Sequence, residues 1–318
     1  MKTIALTGAT GFVGQPLLRL LAQNHHIKAL TRRPQPPRQN VEWILGDFDN
    51  PSVLKTLTAE CDIVIHCAGL IKARNAETFN HINAESVTAL LNAINNPVPE
   101  AQLPTPTTPH FILISTMAAQ VPGISSYGDS KRLGEEYLKR NAGTMPWTII
   151  RPPAVYGPGD AETLKMFKPL QYGLKVLPAV KDQRAALIHV TDLTEAIAAC
   201  MLSNSCYGKL LNVSDNNIDG YTLADIMTLA ATLLGRHKTI EIRLPRWILK
   251  TIAVSNVFIA RICGITPMLT PEKVREIYHA SWVAEGDFVQ DYTPWQSRYS
   301  LEQGLSETLQ WYRQEKLL

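Results

Sequence analysis

Residues 3–14 read TIALTGATGFVG. A short apolar run, Ile4 to Leu6, is followed at once by three glycines, Gly8, Gly11 and Gly14, and then by an amphipathic segment, Pro16 to Ala22. That order predicts a buried parallel strand, a tight turn and the first turn of a helix. Glycine removes the side chain where backbone N–H groups must approach a pyrophosphate, and a helix N-terminus adds partial positive charge. Thr10, Phe12 and Val13 lie on the same loop and count with the glycines as cofactor-binding positions. The spacing is G-x-x-G-x-x-G, not the G-x-G-x-x-G of the common dinucleotide fingerprint. The alternative is a glycine-rich turn that only packs a helix on a strand.

Outward from this stretch, apolar runs alternate with amphipathic ones, which implies parallel βαβ units. Strands are expected at Thr3–Leu6, Ile27–Leu30, Val41–Leu45, Ile63–His66, Phe111–Ser115, Thr148–Ile150, Ala186–Val190 and Lys209–Val213. Helices are expected at Phe12–Ala22, Ser52–Thr58, Ala84–Ile94, Ser130–Arg140 and Asp192–Met201. The proline-rich stretches Pro34–Pro37 and Pro97–Pro109 read as loops, because proline fixes φ and removes a donor. After about Asn212 the chain turns helical. Thr222 reads as an N-cap, Thr270-Pro271 as a helix start, and Ser300 with Gln303 as the capping box of a last helix, Leu301–Trp311. The expected fold is α/β: a Rossmann-like, doubly wound parallel sheet with a smaller, mostly helical C-terminal substrate domain. Residues 1–155 form the dinucleotide-binding domain, with 183–215 adding further elements, and residues 156–182 and 216–318 form the smaller cap.

The chain has 318 residues, a net charge of +3 and no dense Lys/Arg run, which argues against nucleic acid as a partner. Its five cysteines form no C-x-x-C and read as reduced, mostly buried thiols. Met1-Lys2 runs directly into the first strand, so the expected location is the cytoplasm. Leu244–Leu269 is the most membrane-like stretch, but Arg246, Lys250, Asn256 and Arg261 interrupt it. It reads as a poor spanning helix and as an amphipathic helix pair packed on the core, with loose membrane association the less favoured alternative. No metal-ligand spacing and no G-x-S-x-G is present, which argues against a metal site and a serine hydrolase.

The second strand ends in Thr31 and is followed by Arg32-Arg33. An NAD site places an acid here for the ribose 2′-OH, whereas arginine suits a 2′-phosphate. The pair therefore favours NADP(H), with NAD(H) the alternative and a solvated basic loop the bland reading. Asp47 and Phe48 follow the third strand and suit an adenine pocket. His66-Cys67-Ala68-Gly69 ends the fourth, with small residues where a cofactor lies close. Tyr127 and Lys131 are spaced to share one helix face. A nearby ammonium favours the phenolate and brings proton transfer toward neutral pH. Ser115-Thr116 sit at the end of the preceding strand, where a hydroxyl can orient a substrate carbonyl.

TGATGFVG, GDF, HCAG, ISTM, YGDSK, RPPAVYGPGD and IHVTDL occur in this order across the first two-thirds of the chain. Together they resemble the short-chain dehydrogenases/reductases, specifically the NAD-dependent epimerase/dehydratase (extended or atypical) branch. The resemblance implies that Thr116, Tyr127 and Lys131 are catalytic. It places Gly8, Gly11 and Gly14 on the pyrophosphate, Asp47 and Phe48 at the adenine, and Ala68 and Gly69 along the cofactor ribose. Asn83 falls on the family's structural or proton-relay asparagine and counts with the cofactor-binding positions, as do Pro153 and Val155 on the loop facing the nicotinamide. It also implies homodimerisation through the helices bearing Asn83 and Tyr127.

The chain departs from the pattern in three ways. Threonine replaces the commoner serine at 116, Arg32-Arg33 replace the acid, and only ten residues separate Thr116 from Tyr127. The expected function is an NAD(P)-dependent oxidoreductase or epimerase that moves a hydride between nicotinamide C4 and a hydroxyl or keto carbon of a small molecule, a nucleotide sugar among the candidates. The competing reading is a non-catalytic dinucleotide-binding protein, a redox sensor or an accessory subunit. Dense aromatics at Trp282, Phe288, Tyr292, Trp295 and Tyr299 read either as an apolar substrate pocket or as anchors of the tail.

Overall fold

The computed structural model describes residues 1–96, 108–267 and 269–318. Most of the loop expected at Pro97–Pro109 lies outside the described residues. Seven parallel strands build the main sheet: β1 (Thr3–Thr7), β2 (His26–Thr31), β3 (Val41–Leu45), β4 (Ile63–His66), β5 (His110–Ile114), β6 (Trp147–Arg151) and β7 (Lys209–Asn212). Their order is β7-β6-β5-β4-β1-β2-β3. Every residue of β4 and β5 is buried. Helices on both faces explain why these strands are continuous apolar runs rather than alternating ones. Helices α1 (Gly14–Leu21), α2 (Pro51–Thr58), α3 (Ala76–Asn80), α4 (Ser86–Asn95) and α5 (Ser126–Asn141) connect the strands. A core of Val64, Leu90, Leu91, Phe111, Leu138 and Ile149 lies between the sheet and the helices on one face.

The strand order reverses between β1 and β4, which flank each other in register from Ile4–Ile63 to Thr7–His66. A doubly wound sheet opens its ligand crevice at such a reversal, beyond the carboxyl ends of the strands.

The chain divides into two compact units, one of Met1–Arg151, Thr194–Asn212 and Gly286–Trp295, the other of Pro152–Leu193, Val213–Glu285 and Gln296–Leu318. The boundary differs from the sequence expectation in three places. Pro153 and Val155 belong to the second unit, where Val155 pairs in parallel with Ile188. The strand expected at Ala186–Val190 is therefore part of a separate two-stranded sheet. Residues 286–295 return to the first unit, because Asn212 N donates to Asp287 O at 2.8 Å and continues the edge of the sheet.

The second unit is built around Tyr156, Phe167, Leu170, Leu305 and Tyr312, between helices Leu223–Leu233 and Leu301–Gln314. Thr222, Thr270 and Ser300 cap their helices as expected. Within this unit Tyr299 stacks on His189 at 3.9 Å and Trp282 Nε1 donates to Glu276 O at 3.0 Å. In the first unit Trp295 is buried and Tyr292 bonds Asp287. All four of these rings are held as anchors.

The stretch expected to pack as a helix pair on the core does not do so. Arg246–Cys263 is one helix, and only Ala253 and Ala260 in it are buried. Cys263 is likewise exposed, while Cys61, Cys200 and Cys206 are buried. No helix among the described residues is long and apolar enough to cross a membrane.

Candidate active site

The glycine loop turns at Gly8, whose φ is +75°, and closes with Gly11 N donating to Gly8 O at 2.9 Å. A Cβ at residue 8 would stand 2.6 Å from Ala68 N, and one at residue 14 would stand 1.9 Å from Gly8 O. Both positions are closed to any side chain, so the loop folds tightly on itself and against the Cys67–Ala68 segment that follows β4. Helix α1 then starts at Gly14, with no side-chain cap and no acid in its first turn. Gln15 N already donates to Gly11 O at 2.9 Å and Pro16 carries no N–H, so what the helix offers an anion is the partial positive charge of its N-terminus. Gly8, Thr10, Gly11, Phe12, Val13 and Gly14 form one backbone cradle at the strand-order reversal. A pyrophosphate fits it by charge and by the absence of side chains.

His66 pins the facing segment. Ser86 Oγ donates to Ile82 O at 2.7 Å, so it accepts from His66 Nε2–H at 3.0 Å. Nδ1 then accepts the Thr7 hydroxyl at 2.7 Å, and Thr7 Oγ1 accepts from Ala68 N at 3.2 Å. This assignment makes the ring neutral, in line with burial lowering its pKa to about 3. The HCAG segment is thereby tied to β1, with Ala68 and Gly69 beside the glycine loop. Phe48 packs edge-on against the same imidazole, ring centroids 5.5 Å apart. Asp47 is exposed and accepts from Asp49 N at 3.1 Å. Arg32 and Arg33 are exposed just beyond β2, on a turn held by Thr31 Oγ1 donating to Arg33 O at 2.7 Å.

The expected catalytic residues converge from β5 and α5. Helix α5 begins earlier than periodicity indicated, because Ser125 caps it by accepting from Gly128 N at 3.1 Å. Tyr127 therefore lies in the first turn, with its ring 6.1 Å from that of Phe79. Lys131 lies one turn on, buried, and its Nζ donates to Ile114 O at 2.6 Å. Burial lowers its pKa to about 8, opposed by the Cys67 and Glu135 charges. The Cys67 thiol is pushed up to about 11 by its own burial, with Lys131 acting in the opposite sense.

The two neighbouring hydroxyls at the end of β5 have different partners. Ser115 is buried and donates to the Glu135 carboxylate. Arg151 grips the same carboxylate with Nε at 2.8 Å and a terminal nitrogen at 2.5 Å. Thr116 caps the next turn, its Oγ1 accepting from Ala118 N at 3.3 Å. That bond uses an oxygen lone pair and leaves the O–H proton to donate.

Asn83 sits on a π-helical turn, His81–Glu85. Its Oδ1 accepts from Leu70 N at 2.8 Å, while Nδ2 donates to Leu70 O and to Ser130 Oγ, each at 3.0 Å. Ser130 in turn donates to Tyr127 O at 2.8 Å. Expected as a cofactor-binding position, Asn83 has its amide engaged within the chain, so it positions the HCAG loop and α5. Gly69 lies between these groups, since a Cβ there would be 3.1 Å from Asn83 Oδ1 and 3.6 Å from Lys131 Nζ. Sequence reasoning missed the bracing set of Thr7, His66, Ser86, Ser130, Glu135, Arg151 and the contact glycine Gly134. Gly134 could have been found: a small residue one helical turn beyond Ser130, on the face of α5 turned to Asn83, signals close approach.

The chain is similar to known proteins in sequence and in fold. The NAD dependent epimerase/dehydratase family matches residues 4–213. A protein named ceramide reductase, from Caulobacter vibrioides, is 34% identical over 98% of this chain and 94% of its own length. A UDP-glucose 4-epimerase of Vibrio cholerae is 23% identical over 78% of this chain and 80% of its own. In fold, a UDP-glucuronic acid 4-epimerase of Bacillus cereus, solved with NAD, superposes with a TM-score of 0.73 at 18% identity, covering 98% of this chain and 99% of that one. The glycine cradle, the reversal of strand order and the match over residues 4–213 agree, and the chain belongs to the NAD-dependent epimerase/dehydratase family.

Proposed function

We propose that this protein is an NADPH-dependent reductase of a ketone on a ceramide-class amphiphile, with NADH the weaker donor. The observation that carries the reading is the Thr116, Tyr127 and Lys131 set on one sheet edge, in a chain similar over nearly its whole length to a ceramide reductase. The bound nicotinamide supplies a hydride. Gly8, Gly11 and Gly14 hold the pyrophosphate, Asp47 and Phe48 border the adenine, and Ala68 and Gly69 border the ribose. Arg32 and, secondarily, Arg33 meet a 2′-phosphate as planar cations. Thr116 donates to the carbonyl oxygen and fixes its orientation. Tyr127 delivers a proton to that oxygen as it gains charge, and the Lys131 ammonium stabilises the phenolate left behind.

The test is titration with NADPH and NADH, followed by cofactor fluorescence, on wild type, Arg32→Ala and Tyr127→Phe. The expected result is tighter NADPH binding that Arg32→Ala weakens about tenfold, equivalent to roughly 1.4 kcal/mol. Tyr127→Phe should bind NADPH normally and lose turnover. Equal binding of both cofactors removes the 2′-phosphate argument. Tightly retained NAD with no net reduction makes the protein an epimerase. Undiminished turnover in Tyr127→Phe removes the acid–base assignment.

A further inference from the structure

The helix Arg246–Cys263 turns apolar side chains toward water. Its seam of Leu249, Ala253, Val257 and Ala260 faces inward, and the helix packs on its neighbour Pro271–Ile277. The opposite side carries Trp247, Val254, Phe258 and Ile262, spaced to form one stripe along the axis. Their exposures are 69%, 53%, 65% and 70%. Ile252 and Ile259 widen the stripe, with the exposed Thr251 and Ser255 among them, and Ile265 extends it past Gly264, which ends the helix in the left-handed conformation. Soluble surfaces scatter such residues singly, whereas a contiguous apolar patch marks a docking surface.

The charges along the stripe name its occupant. Every charged residue between Leu244 and Pro271 is a cation: Arg246, Lys250 and Arg261. All three are exposed and lie along one flank of the stripe, between it and the buried seam. We propose that this helix lies flat in the headgroup layer of an anionic lipid bilayer. The stripe enters the acyl boundary, Trp247 sits at headgroup level, and the three cations meet lipid phosphates. A spanning orientation would bury those cations in hydrocarbon. An antiparallel two-fold contact with a second copy would set the cationic flanks side by side, which disfavours that dimer. The inference rests on the helix alone and holds whatever the protein reduces.

The experiment is sedimentation of the full-length protein with vesicles of phosphatidylglycerol and phosphatidylcholine, or of phosphatidylcholine alone, at low and high salt. Two variants are compared with wild type, Phe258→Ser with Ile262→Ser, and Arg246→Gln with Lys250→Gln and Arg261→Gln. Both sets of positions are exposed, and circular dichroism confirms the fold of each variant. Wild type should bind the anionic vesicles and be released by salt. Each cation removed should lower partitioning roughly fivefold, and the serine pair should abolish it. Absence of binding to anionic vesicles at low salt overturns the proposal, as does binding that survives in both variants. A wild-type dimer that the serine pair dissolves, without vesicle binding, assigns the face to a second copy instead. Vesicle binding is measured without cofactor or substrate, so it fails or succeeds independently of the proposed reaction.

Discussion

Replacing Ser115 and Thr116 in turn should separate stability from catalysis at adjacent positions. Ser115 is 5% exposed and its hydroxyl donates to a carboxylate that Arg151 already grips. Ser115→Ala removes one charge-assisted hydrogen bond, about 2 kcal/mol, while Glu135 keeps its ion pair. In a chain of this size that lowers Tm by about 3 °C. The change leaves kcat within a few-fold of wild type, because the lost proton was aimed away from the crevice. Thr116→Val behaves in the opposite way. It removes a long capping bond to Ala118 N on a half-buried turn, about 0.5–1 kcal/mol of stability. If the proposed reaction holds, it also removes the donor to an oxygen that gains charge in the transition state and should lower kcat by roughly 10²–10³-fold. Thr116→Ser should retain most activity. The assay pairs thermal unfolding by circular dichroism with initial rates of NADPH consumption on a micellar keto-amphiphile. If Ser115→Ala abolishes turnover while Thr116→Val preserves it, the assignment of the two hydroxyls is wrong.

Gly8→Ala should lose NADPH affinity by tenfold or more and cost about 1–2 kcal/mol of stability, read by fluorescence titration and Tm. The φ of +75° strains an L side chain and the new Cβ meets Ala68 N. Gly134→Ala places a Cβ 2.5 Å from Asn83 O. It should cost about 1–3 kcal/mol and lower kcat through α5, with unfolding and initial rates measured together. Acid should destabilise the fold through buried neutral histidines. Burial lowers His66 to about 3 and His110 to about 4 from 6.5. Between those values and 6.5 the unfolded chain binds protons that the folded chain does not. Stability is therefore full above the unfolded pKa and falls as pH drops, by about 2 kcal/mol per histidine at about pH 5. Unfolding midpoints measured across this window check the sign, and His110→Gln should flatten the slope.

The strands of the main sheet were legible because a two-sided parallel sheet demands unbroken apolar runs, and TIALT, IVIH and HFILI supply them. The glycine spacing marked the turn between β1 and α1 for a steric reason that the distances to Ala68 and Gly8 make explicit. The start of α5 was harder to read. Its first turn, SYGDS, is made of small and polar residues that carry no apolar period, and only the Ser125 cap reveals it. The Glu135–Arg151 pair joins a helix to a strand, a relation that no local spacing encodes. The helix at 246–263 exposes the limit of periodicity itself. An apolar stripe has the same sequence signature whether it faces a core or the solvent, so the inward seam of Ala253 and Ala260 could not be told from the outward stripe of Phe258 and Ile262. The return of residues 286–295 to the main sheet depends on backbone bonds at Asn212, and backbone bonds leave no residue signature.

The π turn at His81–Glu85 makes this segment sensitive to length in an unusual way. One extra residue in a helical ladder is a local irregularity, and deleting it would restore regular i→i−4 bonding through α3 and α4. The same deletion would rotate everything on one side of it by about 100° relative to the other. Asn83 would then lose its register with either Leu70 or Ser130, since its three bonds reach a loop and a second helix at once. A change that improves the helix as a helix would thus detach α5 from the segment that follows β4. A single-residue deletion in 81–85 should therefore be tolerated by folding and rejected by activity, whereas loops ordinarily absorb such length changes and helices fail by unfolding.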